Sequence, residues 1–231
     1  MASLKATIKP FIPAPILAAL SGIRRGVAPG ATTPMHGQDL DMYWTPEMAK
    51  ILDAWGVGTV WDEIQYFCAG LEGKALDIAC GTGTTIELLN RSTPALDVYG
   101  CDISPILIDR AIQRGIQSEK VSVMDATSLS YANKEFDYSY SIGSLEHFTE
   151  EGIPLFLKEA DRVTRKLSFH MIPVSKSGRN EGWMKTHQSF HNNNTEWWMK
   201  HCRGAFKTVN YLPSRWKDNI STGIWLVCES K

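Results

Sequence analysis

The sequence predicts an α/β fold built on a mostly parallel sheet. From about residue 74, short apolar runs alternate with helical patterns, which is typical of βαβ units. The first run, 74–79, leads through a glycine turn directly into a helical pattern that begins at Thr84. Two apolar runs near the C-terminus, 206–212 and 223–229, are close enough in sequence to pair as a hairpin.

The individual elements follow from local signals. Strands are predicted at 74–79, 98–101, 120–124, 136–142 and 167–172, ahead of the hairpin. The helix after the second strand has a clear start, because Ser104 can cap it and Pro105 suits its first turn. Thr149 stands before two acidic residues and an apolar helical face, which predicts another helix start. Upstream of the sheet, 46–55 and 59–71 are predicted to be helical.

Composition limits the function classes. The chain has 231 residues, 43% of them hydrophobic and 21% charged, which indicates one sizeable soluble domain. A net charge of -1 gives no general attraction to nucleic acid, so no nucleic-acid partner is expected. No apolar run approaches the roughly 20 residues needed to cross a bilayer, so we expect no integral membrane span.

The cysteines and the N-terminus indicate location and domain limits. Five cysteines without a C-x-x-C pair argue against a disulfide framework and a structural zinc site, and we expect reduced thiols in the cytoplasm. The first 38 residues contain four basic residues, five prolines and no acid. We interpret 1–40 as a loosely ordered arm rather than an organelle transit segment, and 41–231 as the domain.

The stretch LDIACGTGTTIELL, residues 76–89, joins a buried strand to a helix through Gly81 and Gly83. Missing β-carbons allow a nucleotide-like ligand to approach the backbone at a helix start. A phosphate-binding loop requires Gly-Lys-Ser/Thr, but Gly83 is followed by two threonines. A dinucleotide fingerprint requires a third glycine where Ile86 stands, which weakens that interpretation.

Acidic residues accompany three consecutive strands. Asp77 lies in the first strand, Asp102 ends the second in VYGCDIS, and Asp125 follows the third in VMDATSL. A carboxylate at the position of Asp102 can accept hydrogen bonds from both ribose hydroxyls. Each acid alone also has a structural explanation: a satisfied buried acid, a helix cap and a turn former, respectively. Their joint placement where ligands of open α/β sheets bind favours one adenosyl-sized site.

These motifs resemble those of the class I S-adenosylmethionine-dependent methyltransferases. Their loop is an acid followed by G-x-G-x-G, and this chain has Asp77, Ala79, Gly81 and Gly83 there, with Ala79 departing from the first glycine. The resemblance covers roughly 74–172. It implies a Rossmann-like sheet of seven strands with helices on both faces and the last strand antiparallel. It also implies an N-terminal helical lid, S-adenosylmethionine as cofactor and S-adenosylhomocysteine as product.

The resemblance also implies cofactor contacts. Asp102 falls at the ribose, Ile103 against the adenine, Asp125 near the adenine amino group, and the backbone after 141 beside the methionine half. Tyr43 and Trp44, with Trp61, suit the lid, although ordinary aromatic packing explains them equally well. The cofactor-binding residues expected in this way are Asp77, Ala79, Gly81, Thr82, Gly83, Asp102, Ile103, Asp125, Ala126, Ser141, Ile142, Tyr43 and Trp44.

The methyl acceptor is expected to be a small molecule. After the fourth strand the chain reads SIGS, where nucleic-acid amino methyltransferases carry Asn/Asp-Pro-Pro-aromatic, and this loop contains no cysteine. His147 and, less strongly, His170 are candidate general bases, because histidine titrates near neutral pH. An alternative is that the Glu146-His147 pair only fixes the loop.

An insertion at about 173–204 follows the fifth strand. Substrate binding is assigned to Glu146, Arg179, His187 and His191, with Trp183, Trp197 and Trp198 as pocket walls that suit a sugar or sugar phosphate. The tryptophans equally suit the core of a small lobe. His187 and His191 lack a third ligand, so no metal is predicted.

The chain as a whole is similar to uncharacterised methyltransferases of bacterial surface-polysaccharide gene clusters, which implies a glycan-precursor acceptor. Two alternatives remain open: a non-catalytic cofactor-binding or assembly protein, and a nucleotide-cofactor oxidoreductase. The oligomeric state also stays open, a homo-oligomer included.

Overall fold

The structure, a computed structural model, describes residues 46–185 and 188–231. The helices are α1 (Pro46–Leu52), α2 (Val60–Cys68), α3 (Thr84–Ser92), α4 (Pro105–Gln113), α5 (Gly152–Val163) and α6 (Thr195–Ala205). The strands are β1 (Gly73–Ile78), β2 (Leu96–Asp102), β3 (Val121–Val123), β4 (Phe136–Ile142), β5 (Thr164–Ser175), β6 (Trp183–Met184), β7 (Phe190–His191), β8 (Thr208–Lys217) and β9 (Ser221–Glu229). Tyr43, Trp44, His187 and the predicted arm lie outside the described residues.

Seven of the described strands form one sheet in the order β3-β2-β1-β4-β5-β9-β8. The pairs from β3 to β5 are parallel, whereas β9 is antiparallel to both β5 and β8. The predicted Rossmann-like sheet with an antiparallel C-terminal hairpin is therefore confirmed. The short strands β6 and β7 form a separate hairpin.

The strand order reverses between β1 and β4, and this topological switch point positions the site. Asp77 of β1 is in register with Gly100 of β2 on one side and Tyr140 of β4 on the other. The carboxyl ends of these three strands consequently lie side by side. Ligands of open α/β sheets bind in the crevice outside those ends.

Helices cover the sheet because each presents a buried apolar face. On one side Ile64 of α2, Ile86 and Leu89 of α3 and Ala111 of α4 belong to a single buried cluster. On the other side α5 and α6 pack together, with Phe156 of α5 and Trp198 of α6 fully buried. The sheet therefore has a hydrophobic core on each face.

The region predicted as an insertion is shorter than expected. β5 continues to Ser175, and α6 contributes Trp198, Met199 and Cys202 to the main core. Trp198 is thus a core residue, and only 176–194 stand outside the alternating α/β pattern.

All five cysteine thiols are free and buried. No helix in the described parts of the chain is long and apolar enough to cross a membrane.

Candidate active site

The two positions of the turn after β1 that carry glycine favour it for different structural reasons. Both have positive φ, 55° at Gly81 and 72° at Gly83, which favours glycine. A Cβ on Gly83 would lie 2.4 Å from Ile116 Cδ1 and 3.0 Å from Ala111 Cβ, so this glycine allows α4 and the loop after it to pack closely. Among the described residues, the one atom within 4 Å of a Cβ on Gly81 would be Leu52 Cδ1, at 4.0 Å. The open side of the turn is therefore at Gly81.

Ala79 explains why the family pattern has a glycine at its position. Its φ is 61°, a left-handed conformation that costs a residue with a β-carbon on the order of 1 kcal/mol. The backbone of this turn therefore keeps the geometry of a glycine loop. The Ser144 hydroxyl donates to the Ala79 carbonyl oxygen at 3.4 Å and ties the turn to the loop after β4.

Asp102 lies directly beneath the glycine turn. Its Oδ2 accepts from the Gly81 N–H at 2.9 Å, and its Oδ1 accepts from the Ser104 N–H at 2.9 Å. Burial raises the pKa of this carboxyl to about 6, although the backbone amides of Ser104, Gly81 and Ile103 oppose the rise. A carboxylate has about four lone-pair positions, so Asp102 retains capacity for a further donor beside Gly81.

Asp77 lies buried at the junction of β1 and α3, and its contact with the cofactor stays a prediction. Its side chain is 2% exposed and accepts a short hydrogen bond from the Thr85 hydroxyl at the start of α3. Burial raises the pKa of this carboxyl to about 7, and the nearby charge of Asp102 adds to the rise. Asp77 therefore fixes the junction between β1 and α3, since alternation along the strand turns its side chain toward that helix.

Asp125 lies at the same sheet edge as Asp102. The Met124 N–H beside it donates to the Asp102 carbonyl oxygen at 2.9 Å, which holds the ends of β2 and β3 together. Its Oδ1 accepts from the backbone N–H and the hydroxyl of Thr127, at 2.8 Å and 2.7 Å. The residue is thus also a turn former, and Ala126 beside it is buried. Their contacts with adenine, and that of the half-buried Ile103, stay predictions.

The side chains of Thr82 and Ser141 turn inward, so the backbone contact predicted around Ser141 stays a prediction. Thr82 is 2% exposed, and its carbonyl oxygen accepts from Arg114 Nε at 3.0 Å while its hydroxyl lies 3.1 Å from that of Thr84. Ser141 is fully buried and its hydroxyl lies 2.9 Å from His170 Nδ1. Only the backbones of Thr82 and Ser141, together with the half-buried Ile142, remain candidates for the cofactor.

His170 is a core residue, and its assignment as a general base is wrong. The ring is fully buried, with Nδ1 and Nε2 each 2.9 Å from a hydroxyl, those of Ser141 and Ser168. Burial lowers the pKa of this imidazole to about 3. A base must reach the substrate, and His170 has both nitrogens occupied inside the sheet.

His147 and Glu146 lie at the crevice, in the short helical turn 145–147 after β4. His147 Nδ1 is 2.8 Å from the Ser189 carbonyl oxygen, which can only accept, so Nδ1 carries the proton and the neutral ring has its lone pair at Nε2. Nε2 lies 3.8 Å from Glu146 Oε1. Burial raises the pKa of the Glu146 carboxyl, and His147 opposes the rise.

Two residues that contact the loops after β1 and β4 were not predicted, and we refer to them and the intervening Asp53 as the lid. Leu52, at the end of α1, faces Gly81, and a Cβ on Gly143 would lie 3.0 Å from the ring of Trp55. Between them, Asp53 forms ion pairs with Arg110 and Arg114. Trp61 is only 6% exposed and belongs to the core instead.

Arg114 links three parts of the site. Its guanidinium contacts the carbonyl oxygen of Thr82 in the glycine turn, Glu87 of α3 at 3.0 Å, and Asp53 of the lid. Sequence reasoning missed this residue because a single basic side chain after a helix carries no local signal of its partners.

Two side chains assigned to the substrate pocket, those of His191 and Arg179, lie in different surroundings. His191 is 6% exposed, and its ring packs against Trp183 and Trp197 at centroid distances of 4.7 Å and 5.1 Å, so it is a core side chain of the hairpin. Arg179 is exposed in the turn after β5, where its backbone N–H donates to the Ser177 hydroxyl. Within the described chain, no group of three His, Cys, Asp or Glu side chains is placed to hold a metal ion.

Comparison with known proteins matches this geometry. Residues 75–166 match the family described as a methyltransferase domain. A demethylmenaquinone methyltransferase from Thermotoga maritima is 30% identical over 93 residues, which are 40% of this chain and 39% of that protein. The aligned part thus spans about two fifths of the length of this relative.

Solved structures share the fold. The PH0226 protein from Pyrococcus horikoshii superposes with a TM-score of 0.59 at 19% identity, over 81% of this chain and 92% of its own. A methyltransferase from Methanosarcina mazei that depends on S-adenosylmethionine superposes with a TM-score of 0.59 at 16% identity, over 72% and 96%. At these identities the likeness shows the fold alone. The chain therefore shares its fold with these proteins, and its residues 75–166 match the methyltransferase-domain family.

Proposed function

We propose that the protein transfers a methyl group from S-adenosylmethionine to a hydroxyl or amine of a small polar metabolite. The observation that carries this proposal is the open glycine turn at Gly81, held by a buried Asp102, at the switch point of a methyltransferase domain. Two features at this point suit an adenosyl ligand. The backbone is bare where a ligand would approach, and the carboxylate beneath it can accept a further hydrogen bond.

The residues of the site support a division of roles. When bound, S-adenosylmethionine supplies an electrophilic methyl group on a positively charged sulfur. Asp102 accepts hydrogen bonds from the ribose, and the backbone at Gly81 lies beneath it. Leu52 and Trp55 exclude water from above, which strengthens electrostatic interactions inside the crevice.

Methyl transfer is an in-line displacement, so alignment of the acceptor provides much of the catalysis. A hydroxyl or amine must also lose a proton. We assign this role to His147, a proposal supported by the hydrogen bond from its Nδ1 to the Ser189 carbonyl oxygen, which leaves the lone pair on Nε2. The ring is therefore oriented as a general base.

The identity of the acceptor rests on the sequence. The absence of a nucleic-acid methyltransferase motif after β4 supports a small molecule as partner. A sugar-related precursor of a surface glycan is supported by resemblance alone, since His191 is buried and Arg179 lies in an exposed turn. The unpaired cysteine pattern supports a cytoplasmic location for the reaction.

Isothermal titration with S-adenosylhomocysteine tests the proposal. The wild type is expected to bind, and Asp102→Asn to lose at least about 1.5 kcal/mol of affinity, roughly tenfold, since a charged acceptor is replaced by a neutral one. Asp97→Asn is the matched control. Asp97 lies at the other end of the same strand, where it pairs with Lys120. This variant is expected to bind as the wild type does.

Failure of the folded wild type to bind S-adenosylhomocysteine would remove the proposal. If S-adenosylhomocysteine binds but no sugar, sugar phosphate or amine is methylated by S-adenosylmethionine in a homocysteine-release assay, a non-catalytic cofactor-binding protein is favoured. The oxidoreductase alternative is disfavoured by Ile86, which fills the space where its third glycine would allow close packing. The Ile86 Cδ1 lies 2.6 Å from the position of a Cβ on Gly100.

A further inference from the structure

We propose that the methyl acceptor is an amine, bound as an ammonium group between the carboxylate of Glu146 and the ring of Trp55 and deprotonated by His147. This inference rests on the proposed methyl transfer and deepens it by selecting nitrogen over oxygen. It follows from the placement of Trp55 and Glu146 beside Gly143, with His147 Nε2 3.8 Å from Glu146 Oε1, and we call these three side chains the acceptor corner.

Glu146 is a buried acid that lacks a full set of partners. Its side chain is 7% exposed, and among the described residues its Oε2 has no hydrogen-bond donor. A buried carboxylate without donors is strongly unfavourable, whereas one that pairs with a charged donor is stabilised. The acceptor corner therefore lacks one donor group, which a bound substrate can supply.

The corner brings that carboxylate close to an aromatic ring. The Trp55 ring lies 3.0 Å, and Glu146 Oε1 3.7 Å, from the position that a Cβ on Gly143 would occupy. Gly143 has a φ of 64°, so both the conformation and the close approach of Trp55 require glycine. The indole ring and the Glu146 carboxylate thus both lie near this position, and both kinds of group bind ammonium, the ring through cation–π attraction.

The charges at the corner discriminate among acceptors. In the described chain the one basic side chain in ion-pair distance of Glu146 is His147, at 3.8 Å, and no lysine or arginine pairs with it. A phosphorylated acceptor would therefore bring like charges together. A neutral hydroxyl would satisfy Oε2 without compensating its charge, and charge-assisted hydrogen bonds are roughly twice as strong as neutral ones. An ammonium group both donates a hydrogen bond to Oε2 and compensates the negative charge of the carboxylate.

The reaction balances with these residues. The ammonium group gives one proton to His147 Nε2, which leaves a neutral amine with a lone pair. The amine nitrogen then forms a bond to the methyl carbon as the bond from that carbon to the sulfonium sulfur breaks, and its electron pair stays on sulfur. The products are a methylated ammonium group, S-adenosylhomocysteine with a neutral sulfur, and a protonated His147.

Two probes of nearly equal shape test the inference: ethanolamine, which carries an ammonium group, and ethylene glycol, which carries a hydroxyl in its place. Each is titrated into protein saturated with S-adenosylhomocysteine while the melting temperature is measured, because a ligand of the folded state raises it. Ethanolamine is expected to bind at least about tenfold more tightly than ethylene glycol. Equal binding of the two, or no binding of ethanolamine, would overturn the inference.

Variants assign the effect to the corner. Glu146→Gln is expected to weaken ethanolamine binding at least about tenfold, with S-adenosylhomocysteine binding retained as proof of folding. Glu150→Gln changes an exposed acid of the same loop and serves as the matched control. Unchanged ethanolamine binding by Glu146→Gln would overturn the assignment. The comparison of ethanolamine with ethylene glycol on the wild type remains valid even where a variant does not fold. If the wild type does not bind S-adenosylhomocysteine, the proposed function itself is removed.

Discussion

The two sides of the crevice differ in how completely their polar groups are satisfied. On the cofactor side, Asp102 accepts from the amides of Gly81 and Ser104, and Thr82 is held by Arg114. On the acceptor side, the buried Glu146 retains an oxygen with no donor among the described residues. The first side is a preformed platform, whereas the second is incomplete without a ligand.

This difference separates recognition from specificity. A satisfied platform binds the same ligand in many relatives, since its geometry comes from backbone amides and a turn. An unsatisfied buried carboxylate discriminates, because it penalises any acceptor that fails to donate to it. We therefore expect substitutions on the cofactor side to change folding or cofactor affinity, and those on the acceptor side to change turnover or substrate choice.

The largest expected effect compares the two glycines of the turn. Gly83→Ala is expected to lower the free energy of unfolding by about 3 kcal/mol, because a Cβ would clash with Ile116 and Ala111 in a left-handed conformation. Gly81→Ala is expected to cost about 1 kcal/mol, since among the described residues its Cβ would meet Leu52 alone. Urea denaturation measures both.

Cofactor titration completes that comparison. Gly81→Ala is expected to weaken S-adenosylhomocysteine binding in the folded protein, since its Cβ would occupy the open side of the turn. Equal stability of the two variants would show that the glycines do not have separate roles.

The next effect concerns the two histidines, once an acceptor is known. His147→Ala is expected to reduce kcat about 100-fold, or about 2.7 kcal/mol, through loss of a general base. His170→Ala is expected to keep turnover per folded molecule but to lose about 2 kcal/mol of stability, because it leaves the buried hydroxyls of Ser141 and Ser168 without their partner. If His170→Ala lost turnover and His147→Ala kept it, His170 would be the general base.

A pH effect tests the buried acid of the cofactor side. The folded-state pKa of Asp77 is raised to about 7 from 3.8, so the folded protein retains a proton that the unfolded chain loses. Stability is therefore expected to fall between about pH 4 and pH 7, by on the order of 4 kcal/mol for Asp77, with Asp102 contributing in the same direction. Asp77→Asn should remove most of this decline in urea titrations across that range; an unchanged slope would assign it to other groups.

The smallest expected effect concerns the departure from the glycine pattern. Ala79→Gly is expected to raise the melting temperature and to stabilise the fold by about 1 kcal/mol, because it removes left-handed strain. Calorimetry measures the change, with Ala75→Gly in β1 as a control that should destabilise. Destabilisation by Ala79→Gly would show that flexibility of the unfolded chain outweighs the strain.

Local sequence patterns predicted most of the fold. The alternation of apolar runs and helical faces predicted β4 at its observed limits and the other strands of the main sheet within a few residues of theirs. This is because the burial of one face of a strand or helix produces a regular spacing of apolar residues in the sequence. The same holds for the turn at Gly81 and the start of α4 at Ser104, whose hydroxyl accepts from the Leu107 N–H. The side-chain direction of Asp77 and the burial of His170 and His191 could not be predicted. The local sequence pattern of a polar residue in a strand is the same whether its side chain faces the core or the crevice.

By itself the sequence determined the α/β fold, the glycine turn and the place of Asp102, since each depends on residues close together in the chain. Only the tertiary structure decided that Trp55 lies on Gly143, that Leu52 faces Gly81, and that Arg114 joins Asp53 to the glycine turn. These contacts join distant segments, 61 residues apart for Asp53 and Arg114, whose approach is set by sheet order and helix packing. No local pattern encodes such a partner, because its position exists only once the core has formed.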